Sequence, residues 1–187
     1  GNQIELPMHF PVSEVLQSLP GEVTVSVEGR PVKVKAWLYN HTGVNGHQVP
    51  IIFLDTNIET NSPWDREITK FLYGGDNRYR LAQEIVLGIG GIRMLRQLGY
   101  LSIDIYHMNE GHAALSTLEL YDQLKDKERV RSKCVFTTHT PVPAGHDQFH
   151  LSLAKKMIGD LLPEEILGEV VVSDQLNMTR LALYFSH

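Results

Sequence analysis

Ile103-Asp104-Ile105-Tyr106 runs directly into His107-Met108-Asn109-Glu110-Gly111-His112. Cys134-Val135-Phe136-Thr137 likewise runs into Thr138-His139-Thr140-Pro141-Val142-Pro143-Ala144-Gly145-His146-Asp147. In both stretches a short apolar segment of strand character empties into a polar turn that carries histidine. Between them, residues 113–124 place Leu115, Leu118 and Leu120 at helical spacing, facing inward, and end in a charged run. Strand, helix, strand with short loops is a βα alternation and predicts parallel strands in one sheet, over 103–106 and 134–137. In open sheets of this kind ligands bind beyond the carboxyl ends of the strands. The two turns are therefore expected to face a common crevice.

The 187 residues fit one domain or a large piece of one. A hydrophobic content of 42% with 21% charged residues is that of an ordinary globular chain. The formal net charge of −5 argues against a nucleic-acid or anionic-membrane partner, which would select a clustered basic surface. No run reaches the length of a membrane span, and Gly1-Asn2-Gln3-Ile4-Glu5 has no secretory character. Cys134, alone of its kind, sits in an apolar segment and reads as a small buried side chain; a cytoplasmic location is the default expectation. At the other end the apolar periodicity of Met178, Leu181, Leu183 and Tyr184 is still running at His187, which reads as an excised fragment.

The first quarter has a different rhythm. Residues 1–20 read as a leading loop. Residues 23–27 and 32–36 alternate apolar and polar side chains around Glu28-Gly29, a hairpin by period and turn chemistry; residues 49–55 give a third strand. Ser62-Pro63-Trp64-Asp65 is an N-cap with proline at the first helical position, opening a short helix to about Phe71. Tyr73-Gly74-Gly75-Asp76-Asn77 is a flexible turn. Leu81, Ile85, Ile89, Ile92, Leu95 and Leu98 then form a helical stripe over residues 80–98, closed by Gly99. The expected organisation is a β-rich portion over about 20–55 and a helical, parallel-sheet portion over about 62–187.

Some features have plain readings. Gly88-Ile89-Gly90-Gly91 lies inside a helix rather than between strand and helix, so it reads as close packing of another backbone against Gly88 and Gly91, not as a phosphate loop. His146 and His150 have the spacing of two ligands on a helix turn, but the set is incomplete and no metal site is expected. Asn109-Glu110-Gly111-His112 either caps a helix or offers a ligand its N-terminal amides, with Glu110 orienting His112. In Thr137-Thr138-His139-Thr140-Pro141 the proline-restricted backbone leaves carbonyls free to accept sugar hydroxyls or to stabilise developing positive charge. No nucleophile motif is present.

Three blocks resemble the α-glucan phosphorylases (glycogen, starch and maltodextrin phosphorylases). They are Val135 to Asp147, then His107 to His112, and Leu72-Tyr73-Gly74-Gly75-Asp76 followed by Arg80-Leu81-Ala82-Gln83-Glu84. The resemblance covers most of residues 50–187. It implies a two-domain GT-B type glycosyltransferase with Rossmann-like halves, of which this chain is the C-terminal part of the first. The implied reaction is reversible phosphorolysis, in which inorganic phosphate attacks the terminal α-1,4 linkage of a glucan and releases glucose 1-phosphate. Pyridoxal phosphate is the implied cofactor, its own phosphate acting as proton relay on the missing second domain. By carry-over, His139 lines the glucosyl subsite with its carbonyl near the developing oxocarbenium. Asn109, His112 and Thr140 border the sugar. Tyr73, Gly74 and Gly75 form a gate loop, with Asp76 and Asn77 on it. Glu110-Gly111 and Gly74-Gly75 stand where animal enzymes carry Asp-Thr and Pro-Asn, as in the shorter bacterial and archaeal type. The family's glycine-rich loop and its pyridoxal lysine have no counterpart in these residues, so the fragment alone is expected to be inactive and open to self-association. Two other readings remain: a sugar-nucleotide-dependent glycogen or starch synthase, and a non-catalytic carbohydrate-binding module. The module would show exposed stacking aromatics, whereas Trp37 and Trp64 fall in patterned positions suited to core packing.

Overall fold

The computed structural model describes residues 11–72, 75–142 and 145–187. The chain enters through a single helical turn, α1 (Val12–Val15), and three antiparallel strands follow in the order β1-β2-β3: Gln17–Val27, Arg30–Thr42 and Gln48–Asp55. The expected hairpin is present, with Val23 opposite Val34 and Val25 opposite Val32. Its inward-facing Val25, Val27, Val32 and Val34 are fully buried, as a period of two requires. Glu28 and Gly29 turn it with positive φ (53° and 75°) at both positions, which suits the twist of a two-residue hairpin.

Part of the presumed leading loop is in fact strand. The long β2 offers a partner as far as Leu38, and Gln17 and Ser18 pair with Leu38 and Trp37. A bulge between Ser18 and Glu22 absorbs Leu19-Pro20-Gly21. Pro20 has no N–H to leave unpaired there, and Gly21 takes φ +87°.

Helix α2 (Pro63–Arg66) opens where expected, with the Ser62 side chain accepting from Asp65 N at 3.3 Å, but it gives way to turns before Phe71. The long helix begins at Asn77 and has three parts. These are α3 (Asn77–Ile85), a π turn (Val86–Gly90) and α4 (Gly91–Gln97), and Gly99 ends the run at φ +91°. Leu81, Ile85, Ile89 and Ile92 are buried as the stripe requires. The Gly88 reading holds: a Cβ there would lie 2.6 Å from Ser116 N and 2.8 Å from Leu115 Cβ. Gly91 does not share that role, since a Cβ there would meet only Leu54 Cδ1, at 3.9 Å.

The parallel pair is present, but the first strand is displaced. It is β4 (Tyr106–Asn109), not residues 103–106, and it runs parallel to β5 (Cys134–Thr137) with Tyr106 opposite Cys134 and Asn109 opposite Thr137. Ile103 and Ile105 are apolar without being core: Ile105 is 53% exposed, while Met108 is buried. His107 and Asn109 are thus strand residues on the outer face rather than parts of a turn.

Between the two strands, the short 3-10 turn Gly111–Ala113 leads into α5 (Leu115–Leu124), which buries Leu115, Leu118 and Leu120 as expected; α6 (Lys127–Arg131) follows. The last forty residues add a sheet the sequence does not announce. Strands β6 (Gln148–His150), β7 (Val171–Val172) and β8 (Gln175–Asn177) pair antiparallel in the order β6-β8-β7. Helices α7 (Leu151–Ile158), α8 (Leu167–Val170) and α9 (Met178–Tyr184) surround them. One apolar cluster joins hairpin, helices and all three sheets, from Val25 to Phe185, and includes Cys134, whose thiol burial pushes up to about 11.

Polar contacts hold the outer joints. At the hairpin tip Glu28 accepts from Arg30 and Arg78 at 2.6 Å and pairs with Lys156 at 3.1 Å, tying the hairpin to α3 and α7. Buried Asn61 accepts from Lys33 N and donates to Lys33 O and Thr56 O, all within 2.9 Å. Trp64 lies under the Arg78 guanidinium at 3.8 Å, and Trp37 donates to Asp55; both are half-buried. No helix among the described residues is long and apolar enough to cross a membrane.

Candidate functional site

The carboxyl ends of β4 and β5 meet at Glu110. Its backbone N–H continues the ladder by donating to Thr137 O at 2.8 Å, and its φ of +64° turns the chain sharply out of the strand. Its carboxylate is buried, and Oε1 accepts from His139 N at 2.8 Å and Thr140 N at 2.9 Å. Hydrogen bonding, from the His139 amide first and then from Thr140 and Thr138, holds the Glu110 pKa down at about 2 against the opposing pull of burial. The acid therefore binds the second tip to the first. It makes no hydrogen bond to His112, so its expected part in orienting that ring is replaced by the binding of the His139 backbone.

His139 stands on the outer side, its side chain 61% exposed, with Nε2 3.0 Å from Asn109 Oδ1. Just below, His107 Nε2 lies 2.7 Å from Thr137 Oγ1. Asn109, His139 and Thr140 thus form one group linked through Glu110. Parallel strands ordinarily bury both faces, yet this outer face leaves Ile105 and Val135 exposed as well.

His112 takes another direction. It follows in the Gly111–Ala113 turn, whose Gly111 lies so close to Met178 that a Cβ would approach Met178 Cβ to 3.1 Å. Its half-buried ring lines a cavity of about 500 Å³ with Ile52, Leu54, Phe71, Arg80 and Glu84. Burial, and then the Arg80 cation, lower its pKa, so the imidazole is neutral at pH 7 and can both give and accept a hydrogen bond. His139 is not in the wall of that cavity. The expected single hollow is therefore two neighbouring features, an exposed cluster around His139 and a cavity beside His112, with Glu110 between them in the chain.

The gate residues fall partly outside the described residues, as Tyr73 and Gly74 do. Gly75 has φ +83°, and a Cβ there would lie 2.6 Å from Tyr79 Cβ, so the position requires glycine. Asp76 is the N-cap of α3, accepting from Tyr79 N at 2.9 Å, and Asn77 is the first helical residue, exposed. The approach to the gate is anchored from α3: Gln83 donates to Ile68 O and Phe71 O, and the Tyr79 hydroxyl donates to Glu67 O.

Arg80, Glu84 and Asp147 had no assigned part in the sequence reading. Arg80 donates to Asp147 Oδ2 through Nη2 (3.0 Å) and Nε (3.3 Å), joining α3 to the end of the His139 turn. Asp147 O also accepts from Met178 N, and His146 Nδ1 lies 2.9 Å from Thr179 Oγ1. The available signal is the spacing of Arg80, Gln83 and Glu84, three polar residues at i, i+3 and i+4 on one face of α3. His146 and His150 do not share a helix turn, because His150 ends β6. Among the described residues no group of three His, Cys, Asp or Glu is arranged to hold a metal ion.

Pyridoxal phosphate needs a lysine for its carbonyl, and the lysines here do not fit that role. Lys33, Lys35, Lys70, Lys125, Lys155 and Lys156 are paired with carboxylates. Lys127 sits over the Tyr184 ring, and Lys133 donates to Ile103 O. Among the described residues no lysine hydrogen-bonds to Asn109, His139 or Thr140.

The fold is that of part of a GT-B glycosyltransferase. It superposes on the catalytic domain of starch synthase IV from Arabidopsis thaliana, solved with ADP and acarbose, with TM-score 0.65 and 20% identity, covering 91% of this chain and 32% of that one. No protein-family model matches the chain. Its sequence relatives are nevertheless consistent: over this region the chain is homologous to the α-glucan phosphorylases. It is 37% identical to maltodextrin phosphorylase of Thermococcus litoralis over 98% of its own length. It is 36% identical to glycogen phosphorylase of Mycobacterium tuberculosis and 38% identical to that of Aquifex aeolicus, over 77% and 75% of its length. The chain spans 24%, 19% and 20% of these three relatives, respectively.

Proposed function

We propose that this chain is part of an α-glucan phosphorylase and supplies one wall of its glucosyl site. The observation that carries the reading is the 37% identity to a maltodextrin phosphorylase across 98% of the chain, a span that includes both strand tips. The substrates are then an α-1,4-glucan and inorganic phosphate, and the product is glucose 1-phosphate. His139 is the residue closest to the chemistry. With the Thr140 N–H held by Glu110, the peptide plane that carries the His139 carbonyl is set, and that carbonyl can face positive charge developing at the glucosyl carbon. Asn109, Thr140 and neutral His112 offer donors and acceptors to sugar hydroxyls, while Gly75, Asp76 and Asn77 belong to the gate. Pyridoxal phosphate would be held by residues outside this chain, in keeping with the poor fit of the lysines. A cytoplasmic setting goes with this reading.

The full-length polypeptide, given maltodextrin and phosphate, should release glucose 1-phosphate, and the 187-residue chain alone should not. Incorporation of glucose from ADP-glucose or UDP-glucose, without phosphorolysis, would replace this reading by a synthase. His139→Ala in the full-length protein should lower kcat/KM by about 100-fold or more. Exposed Val49, Ile51 and Phe53 on one face of β3 should make the isolated chain self-associate, which sedimentation at rising concentration would detect.

A further inference from the structure

Glu84 is 1% exposed, the most buried carboxyl among the described residues. The other buried acids have partners: Asp65 binds Arg30, Glu119 binds Arg93, and Glu110 binds two amides. Neither oxygen of Glu84 has a donor, but the Asp147 carboxylate lies within hydrogen-bonding reach of it. Arg80 Nε lies 3.4 Å from Glu84 Oε1, yet Arg80 gives its hydrogen bonds to Asp147. Two carboxyls therefore crowd one guanidinium in the wall of the cavity that His112 lines. With both ionised, one negative charge would be buried without compensation, an arrangement proteins avoid by keeping a proton.

We propose that Glu84 is a positioning residue: as a neutral acid it donates a hydrogen bond to the Asp147 carboxylate and leaves Arg80 to Asp147, and so holds the turn bearing His139 against α3. Burial, then the Asp147 carboxylate, raises its pKa well above the usual carboxylate range, in keeping with that role. Ionised Glu84 would compete for Arg80, release Asp147, and loosen the segment that ends at β6. The charged and titratable groups around it are Arg80 on its own helix, Asp147 before β6, and His112 and Glu110 beyond β4, which share the field of Arg80 and Asp147. The geometric part stands by itself, and its catalytic consequence rests on the phosphorylase reading.

The test uses the full-length polypeptide and the variants Glu84→Gln, Glu84→Ala and Asp147→Asn. Hydrogen exchange of peptides covering residues 138–150, corrected for intrinsic pH dependence, should lose at least tenfold in protection as pH rises through the Glu84 titration. Glu84→Gln, a permanent stand-in for the neutral acid, should keep full protection at every pH. Glu84→Ala and Asp147→Asn should lack it throughout. In kinetics, Glu84→Gln should flatten the pH dependence of KM for glucan while Glu84→Ala raises KM. Wild-type protection independent of pH, or Glu84→Gln behaving as Glu84→Ala, would overturn the proposal. Loss of phosphorolysis in the wild type with the exchange pattern intact would sink the phosphorylase reading instead.

Discussion

Gly88→Ala places one methyl group where the structure has no room for it. The added Cβ would stand 2.6 Å from Ser116 N and 2.9 Å from Leu115 C, about 0.8 Å inside the 3.4 Å at which ordinary contact begins. Both obstacles include backbone, so a rotamer change cannot relieve them; either the π turn or the start of α5 must move. Overpacking of this kind costs about 1–3 kcal/mol. With a urea slope near 2 kcal/mol/M, the unfolding midpoint should fall by roughly 0.5–1.5 M. Gly91→Ala, only three residues on, is the control. Gly91 has helical φ −60° and ψ −47°, and its Cβ would meet only Leu54 Cδ1 at 3.9 Å. There alanine should stabilise by about 0.5–1 kcal/mol through helix propensity alone. Urea denaturation followed by circular dichroism measures both. Equal midpoints for the two variants, or a stabilised Gly88→Ala, would refute the close-approach argument. Because α5 begins just after the His112 turn, Gly88→Ala should also shift the His112 ring resonances, and Gly91→Ala should not.

Other outcomes follow from single groups. Glu110 has a depressed pKa, so its contribution to stability is present above pH 4.5 and lost as pH falls towards about 2; Glu110→Gln should remove that part of the acid transition, read by near-ultraviolet circular dichroism. Asn61→Ala leaves the Lys33 N–H and C=O without their partner and takes from Thr56 O one of its two donors, and should cost about 2–4 kcal/mol, measured by thermal or urea unfolding. The Cys134 thiol, buried and held up at about 11, should react with a disulfide reagent only as fast as the protein opens, and rapidly in urea.

The legible parts of this chain were those whose signal is local. Hairpin alternation, the Ser62 cap, the Gly99 stop and the inward leucines of α5 each depend on residues within a turn or two, and all are present. Strand β4 was misplaced because Ile103 and Ile105 have core chemistry but not core positions; the pairing with β5 decides the register, and no window of ten residues contains it. The β6-β8-β7 sheet was invisible for a related reason, since strands of two or three residues are too short to show a period. At the site, Asn109, His139 and Thr140 lie together, while His112, grouped with them by the resemblance, lines the cavity instead; Arg80 and Asp147 meet across 67 residues of sequence. Proximity in sequence pairs Glu110 with His112, whereas its carboxylate binds an amide thirty residues away.

The π turn at Val86–Gly90 has a consequence for any attempt to shorten the chain. It holds one residue more than an α-helical turn, so deleting a single residue there would convert it to regular helix. Each residue advances the helix by roughly 100°. Leu81 and Ile85 would then keep their place and Ile92 and Met94 their facing, whereas a deletion within α3 or α4 would swing the residues beyond it by about that angle. A one-residue deletion in α3 or α4 should therefore be more harmful than one in the π turn or in the loop between β2 and β3, because the loop only has to close and the π turn has a residue to give up, whereas the regular helix also has to aim.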